Sequence, residues 1–227
     1  MTNIVLIARD RPRLTEQCLR TLYMNTPLDA FTLCVVDDGS QIETQRIIAQ
    51  YGRKENAEVV TFLKPIGIVG FLRNVGIAAS ERFFGRGEWV VFLDNDTAVF
   101  SGWLEKMIQA LDMRDWIGYN VYVLGGCRHP FHGVNGTWGN VELTDAVAGY
   151  SLFMRWNVWD KYGPFASNQK GVGASEDFDL CRRIAADDKK VGYIHPPVLA
   201  HTGLSNTDRQ PATGHESFER VKGILYE

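Results

Sequence analysis

Short unbroken apolar runs alternate along the first half of the chain with stretches in which apolar residues recur every third or fourth position. Asn3–Ala8 (NIVLIA), Phe31–Val36 (FTLCVV) and Glu88–Leu93 (EWVVFL) have the pattern of strands covered on both faces, and Glu58–Leu63 adds a further strand. Between them lie helical spacings: Leu14, Cys18 and Leu22 behind Pro12; Ile47, Ile48 and Tyr51; and Leu72, Val75, Ala79 and Phe83 behind the Gly67–Gly70 turn. Gly85 and Gly87 end the last of these, and Leu104, Met107, Ile108 and Leu111 mark one more helix after the fourth strand. Strand–helix alternation predicts an α/β fold with a mainly parallel central sheet flanked by helices.

The second half is less regular. Tyr119–Leu124 reads as a strand, and Gly125–Asn140, rich in Gly and polar residues, as a mobile surface loop. Asp145–Arg155 reads as a strand pair or bent strand, Phe178–Ala186 as a helix, Val191–Ile194 as a last strand, and Phe218, Val221 and Leu225 as a C-terminal helix. With no repeat or linker, residues 1–227 are expected to form one domain, in which about 1–100 bind a nucleotide and about 101–227 bind an acceptor.

Composition narrows the classes. The 227 residues are 45% hydrophobic and 22% charged, ordinary for a globular protein, with a formal net charge of −3. That balance gives no global electrostatic footprint for nucleic acid. No apolar run approaches the roughly 20 residues of a membrane span. Arg9, Asp10, Arg11 and Arg13 interrupt any leader-like start, and the four cysteines have no CxxC pair, so a soluble, cytoplasmic protein is expected.

The candidate chemistry is acidic. Open parallel sheets bind ligands at the carboxyl ends of their strands. Asp37-Asp38 follows the second strand and Asp94-Asn95-Asp96 the fourth. Carboxylates crowded on one rim suit a divalent cation such as Mg²⁺ or Mn²⁺, which often shares its site with phosphates; a turn and helix cap is the bland alternative for Asp37-Asp38-Gly39-Ser40. Ser175-Glu176-Asp177-Phe178-Asp179 opens a helix, where acids also favour the dipole. His201 could complete a cation's shell or be structural.

These segments resemble glycosyltransferase family 2, nucleotide-sugar-dependent enzymes of the Rossmann-like GT-A fold. The resemblance rests on ARDRPRLTEQCLRTL, VVDDGS, GIVGFLRNVGIAAS, VVFLDNDT, DAVAGYSLFMRWNVWDKYGPF, ASEDFDLCRRI and AHTG, in that order, over about residues 3 to 204. It implies a base-binding role for Asp38 with Asp37 close by, and backbone near Ala8 and Arg9 bordering the same base. It implies Arg73 near the nucleotide, Asp94 by the ribose or metal waters with Asn95 beside it, Asp96 and His201 on the metal, and Asp177 as catalytic base. Tyr150, Gly149, Trp138 and Glu176 are expected on the acceptor side.

The implied activity is inverting, metal-dependent transfer of a sugar from a nucleotide-sugar, a UDP-sugar first, to an acceptor hydroxyl. The acceptor would be a glycan, protein, lipid carrier or small molecule, and its site has to come from the second half or from a partner subunit such as a second copy. A nucleotidyltransferase would need a Gly-rich basic phosphate loop, which ARDRPRL lacks. A catalytically silent carbohydrate-binding relative would have no use for Asp94, Asp96 and Asp177. Cys127, His129 and His132 in CRHPFHG have no fourth ligand at a zinc spacing, and the loop reads instead as an acceptor-binding lid. Trp156 and Trp159 are read as core or acceptor wall.

Overall fold

The computed structural model describes residues 1–112, 121–129, 132–167 and 176–203. The expected C-terminal helix at Phe218, Val221 and Leu225 lies outside these residues.

The first half folds as the apolar pattern predicts. Strands β1 (Thr2–Ala8) and β2 (Phe31–Asp37) are buried along their whole length, which is why neither shows polar alternation. Helix α1 (Pro12–Asn25) starts on a proline, whose missing N–H would have had no intrahelical partner in any case. Helix α2 (Ile42–Tyr51), β3 (Ala57–Thr61), α3 (Val69–Phe84) and β4 (Trp89–Asp94) follow. Helix α3 lies directly on the sheet because Gly76 carries no Cβ; one placed there would sit 2.3 Å from Val5 Cγ1.

Next come β5 (Thr97–Val99), α4 (Trp103–Asp112), β6 (Val121–Gly125), β7 (Gly136–Trp138), β8 (Val141–Thr144) and β9 (Ser151–Arg155). The described chain closes with α5 (Trp156–Tyr162), α6 (Glu176–Ala186), β10 (Lys190–Ile194) and β11 (Leu199–His201).

One sheet runs in the order β3-β2-β1-β4-β9-β6-β10-β8-β7. Its first four strands are parallel, as is β6 with β10. Strand β9 runs antiparallel to both β4 and β6, and the β10-β8-β7 edge is antiparallel throughout. Alternate residues of each strand feed two cores. Ile4, Leu6, Leu33, Val91 and Leu93 meet Leu19, Leu22, Ile48, Met107 and Leu111 on one face. Val5, Val36, Phe92 and Leu152 meet Leu72, Ile77, Leu180 and Ile184 on the other.

The second half departs from the periodicity in two places. The segment read as a surface loop contains β7, paired with β8, because a three-residue edge strand is too short to show a period. Of the stretch read as a strand pair, only Ser151–Arg155 is strand; Ala146, Val147 and Ala148 are buried without ladder pairing. Trp156 and Trp159 both belong to the second core, the Trp156 indole N–H donating to Asn3 Oδ1 at 2.9 Å.

Candidate active site

The turns at the carboxyl ends of β1, β2 and β4 interlock. The Asp38 amide donates to the Ala8 carbonyl at 2.9 Å. Its carboxylate accepts the Ile66 and Gly67 amides at 2.6 and 3.1 Å, with Arg9 Nη1 3.7 Å away. Gly39 is required here: its φ is +67°, and a Cβ would meet Pro65 N at 2.6 Å. A carboxylate has about four acceptor positions, so Asp38 retains capacity for a further donor. Asp37 turns to the other face of the sheet, where its register partner Ala8 joins the first core. One Asp37 oxygen accepts the Ser40 amide at 3.0 Å, and the residue borders a groove of about 360 Å³ under α2 with Gln45, Ile48 and Val59.

The loop after β1 joins the other two. The Asp10 amide donates to Ser40 Oγ at 2.9 Å, and Asp10 Oδ1 accepts the Gln41 amide at 2.8 Å. Asn95 Nδ2 donates to the Asp10 carbonyl at 3.1 Å and to Thr15 Oγ1 at 2.7 Å, so Asn95 fixes the Asp94–Asp96 turn against α1.

Asp96 is buried between two nitrogens. Arg11 Nη1 lies 2.6 Å from Oδ2, and His201 Nε2 lies 3.2 Å from Oδ1. His201 arrives by a small separate ladder in which β11 pairs antiparallel with β5, setting His201 opposite Thr97. The Thr202 amide then closes onto the Asp96 carbonyl at 2.7 Å. Gly203 packs over the carboxylate so closely that a Cβ would fall 1.9 Å from Oδ2. The His201 ring stacks on Tyr150 at 4.3 Å with the planes 5° apart, and the Tyr150 hydroxyl donates to the Cys127 carbonyl at 3.1 Å.

The two halves meet at Arg73, on α3. Its guanidinium is fully buried, and it donates to Glu176 Oε1 at 2.7 Å, to Asp94 Oδ1 at 3.1 Å and to the Gly149 carbonyl at 2.8 Å. Gly149 is glycine for steric reasons, since a Cβ would lie 2.5 Å from Arg73 Nη1. The Gly149 amide donates to Asp177 Oδ2 at 2.7 Å, and the Phe178 amide to Asp177 Oδ1 at 2.7 Å. Asp177 is thus tied to Gly149, Gly149 to Arg73, and Arg73 to Asp94 and Glu176. Trp138 stands apart on the β7 edge, packed against the first core.

Charge follows burial and partner. Burial opposes ionisation of Asp96, but the neighbouring His201 nitrogen, aided by Arg11, outweighs it and holds this carboxyl below its ordinary range. Burial pushes Asp94 up against the pull of Arg73, and does the same to Glu176. His132 Nδ1 lies 2.7 Å from the Tyr193 hydroxyl, which accepts the Ala148 amide at 2.8 Å. Burial lowers the His132 pKa, opposed by the negative charge of Asp177. Desolvation raises the Cys127 thiol to about 11 and Cys18 to about 12, which makes both inert.

Among the described residues no group of three or more His, Cys, Asp or Glu side chains gathers to hold a metal. Asp96 and His201 supply one oxygen and one nitrogen donor, a set that fits Mn²⁺ or Mg²⁺ when phosphate oxygens supply further ligands. Three features escaped the sequence reading: Arg11 on Asp96, Gly203 over it, and the β5–β11 ladder. The one signal for Arg11 is its place before Pro12, where a capping Ser, Thr, Asp or Asn is usual. No helix among the described residues is long and apolar enough to cross a membrane.

Curated relatives include the glycosyltransferase AglE of Haloferax volcanii, 26% identical over 199 residues, and the putative glycosyltransferase EpsH of Bacillus subtilis, 30% identical over 92 residues. These alignments take in 82% and 40% of this chain but 62% and 25% of the relatives, so the chain matches only part of their length. Among solved structures, Staphylococcus aureus TarS 1–349 in complex with UDP-GlcNAc superposes with a TM-score of 0.67 at 18% identity, over 99% of this chain and 65% of that one. The mannosyltransferase PcManGT of Pyrobaculum calidifontis, in complex with GDP-Man and Mn²⁺, gives 0.63 at 17% identity, over 86% and 54%. At such identities these structures speak for the GT-A fold. The model of the glycosyl transferase family 2 matches residues 3–188, and by that span the chain belongs to this family.

Proposed function

We propose that the chain transfers a sugar from a nucleotide-sugar to an acceptor hydroxyl with inversion at the anomeric carbon, in a metal-dependent reaction in which Asp177 is the general base. The observation that carries this reading is the single buried guanidinium of Arg73. It bonds both Asp94, from the acidic turn after β4, and Glu176, the neighbour of Asp177.

Asp38 accepts from the nucleobase with its remaining lone pairs, the backbone at Ala8 and Arg9 borders the base, and Asp37 and Asn95 hold the surrounding turns. Asp96 and His201 hold a divalent cation, with Asp94 beside them. When bound, the cation offsets the charge that builds on the departing diphosphate. Asp177 then takes the acceptor proton as the new glycosidic C–O bond forms and the bond to the diphosphate breaks. Two backbone amides fix the Asp177 carboxylate, so its aim is set before substrate binds. Tyr150, Gly149, His129 and His132 form the acceptor wall, and Glu176 acts through Arg73.

The relatives favour a nucleotide-sugar donor while differing in the base, since TarS was solved with UDP-GlcNAc and PcManGT with GDP-Man. A UDP-sugar is the first to test. Thermal shift and release of nucleoside diphosphate, measured with UDP-, GDP- and dTDP-sugars and Mn²⁺, should single out one donor. No response to any of them would reject the reading.

A further inference from the structure

Resting on that reading, we propose that Arg11 is a built-in, exchangeable counter-ion: its guanidinium neutralises Asp96 in the empty site, gives the carboxylate up to the divalent cation, and then binds the diphosphate that arrives with it.

Four observations carry this. First, Arg11 Nη1 lies 2.6 Å from Asp96 Oδ2, on the carboxylate assigned to the cation. Second, the two partners differ in freedom. The Asp96 side chain is 7% exposed and packed under Gly203, with its backbone carbonyl held by Thr202, whereas the Arg11 side chain is 42% exposed and free to swing outward. Third, the placement is imposed by the backbone. Asp10 and Arg11 both occupy the left-handed region, at φ 53° and 56°, which non-glycine residues rarely adopt. Ser40, Gln41, Thr15 and Asn95 all bond Asp10 and hold the chain in that conformation. Fourth, Arg11 occupies the residue before α1 and makes no side-chain cap there; among the described residues its side chain bonds Asp96.

Charge dictates the exchange. An unpaired buried carboxylate is costly, so the empty site needs a cation of its own. A guanidinium and a divalent ion on one carboxylate repel each other, so binding the ion weakens the Arg11 pair. The displaced guanidinium then finds the diphosphate, for which its planar fork is suited. Metal without nucleotide therefore competes against Arg11, while metal with nucleotide recruits it, and the two bind with positive coupling.

The test is Mn²⁺ titration of the whole chain by electron paramagnetic resonance, without nucleotide and then with UDP or GDP, in the wild type, Arg11→Gln and Arg11→Lys. Arg11→Gln should bind Mn²⁺ alone on the order of tenfold more tightly than the wild type, and bind nucleoside diphosphate at saturating Mn²⁺ more weakly by a similar factor. Arg11→Lys should lie between. In metal-free buffer Arg11→Gln should melt below the wild type, and Mn²⁺ should close that gap. Equal Mn²⁺ affinity in Arg11→Gln and wild type, or loss of affinity for Mn²⁺ and nucleotide together, overturns the exchange and leaves the functional reading intact. If neither protein binds Mn²⁺ with or without UDP or GDP, the functional reading falls and the exchange with it.

Discussion

The two halves of this sheet build their share of the site by different means. In β1, β2 and β4 every strand points the same way, so every functional turn emerges on one rim, and Asp38, Asp94 and Asp96 need only follow the strand that carries them. Beyond β4 the directions are mixed, because β9 and β8 run against their neighbours. There the residues come from an unladdered segment before β9, from the first turn of α6 and from the three-residue strand β11. A parallel array makes a binding rim by topology alone; a mixed one has to be docked onto it. Arg73 is the dock, and the consequences of breaking it separate what each half contributes.

The largest effect is expected at Asp177. Asp177→Asn should slow transfer by about 10²–10⁴-fold with donor affinity unchanged by calorimetry, since only the second half is altered. Unchanged turnover would remove Asp177 as base. Arg73→Met comes next, leaving buried Glu176 and half-buried Asp94 without their cation. Urea titration should record a loss of about 3–5 kcal/mol, partly restored when Glu176→Gln is added. A loss confined to activity, with stability intact, would show that Arg73 does not hold the halves together.

Gly149→Ala sharpens the same point from the other side. The added methyl meets the Arg73 guanidinium and should cost about 1–3 kcal/mol, read as a lowered midpoint. The smallest effect is at His132. Burial favours its neutral ring in the folded state, so its share of stability is complete above its ordinary pKa of 6.5 and drains away as pH falls through the lower folded value. His132→Gln should flatten that acid limb. Because the Asp177 charge opposes the shift, Asp177→Asn should lower the His132 pKa further, which NMR of the ring protons would read.

The same contrast explains what the sequence could and could not tell. The strands and helices of the first half were legible because the buried runs of β1, β2 and β4 are six or seven residues long, and β2 and β4 end in acidic turns. The β5–β11 ladder that brings His201 to Asp96 was not, because three residues cannot display a period of two. Arg73 was legible as a functional position through the family resemblance, but its complete burial was not, since arginine is normally exposed. The packing of Trp138 was not legible either, since the three-residue edge strand that lays it against the first core shows no period. The pairing of Arg11 with Asp96 escaped notice because its one signal, a non-capping residue before Pro12, does not disclose the left-handed backbone that aims it.

The central claim is that both halves face one cation and one sugar. Anomalous scattering from Mn²⁺ in crystals grown with UDP tests it most directly. The account predicts a peak against Asp96 and His201, with the UDP diphosphate on its open side and the Asp177 carboxylate across the space where the sugar would sit. A Mn²⁺ peak bound elsewhere, or an Asp177 carboxylate turned away from that space, would contradict it.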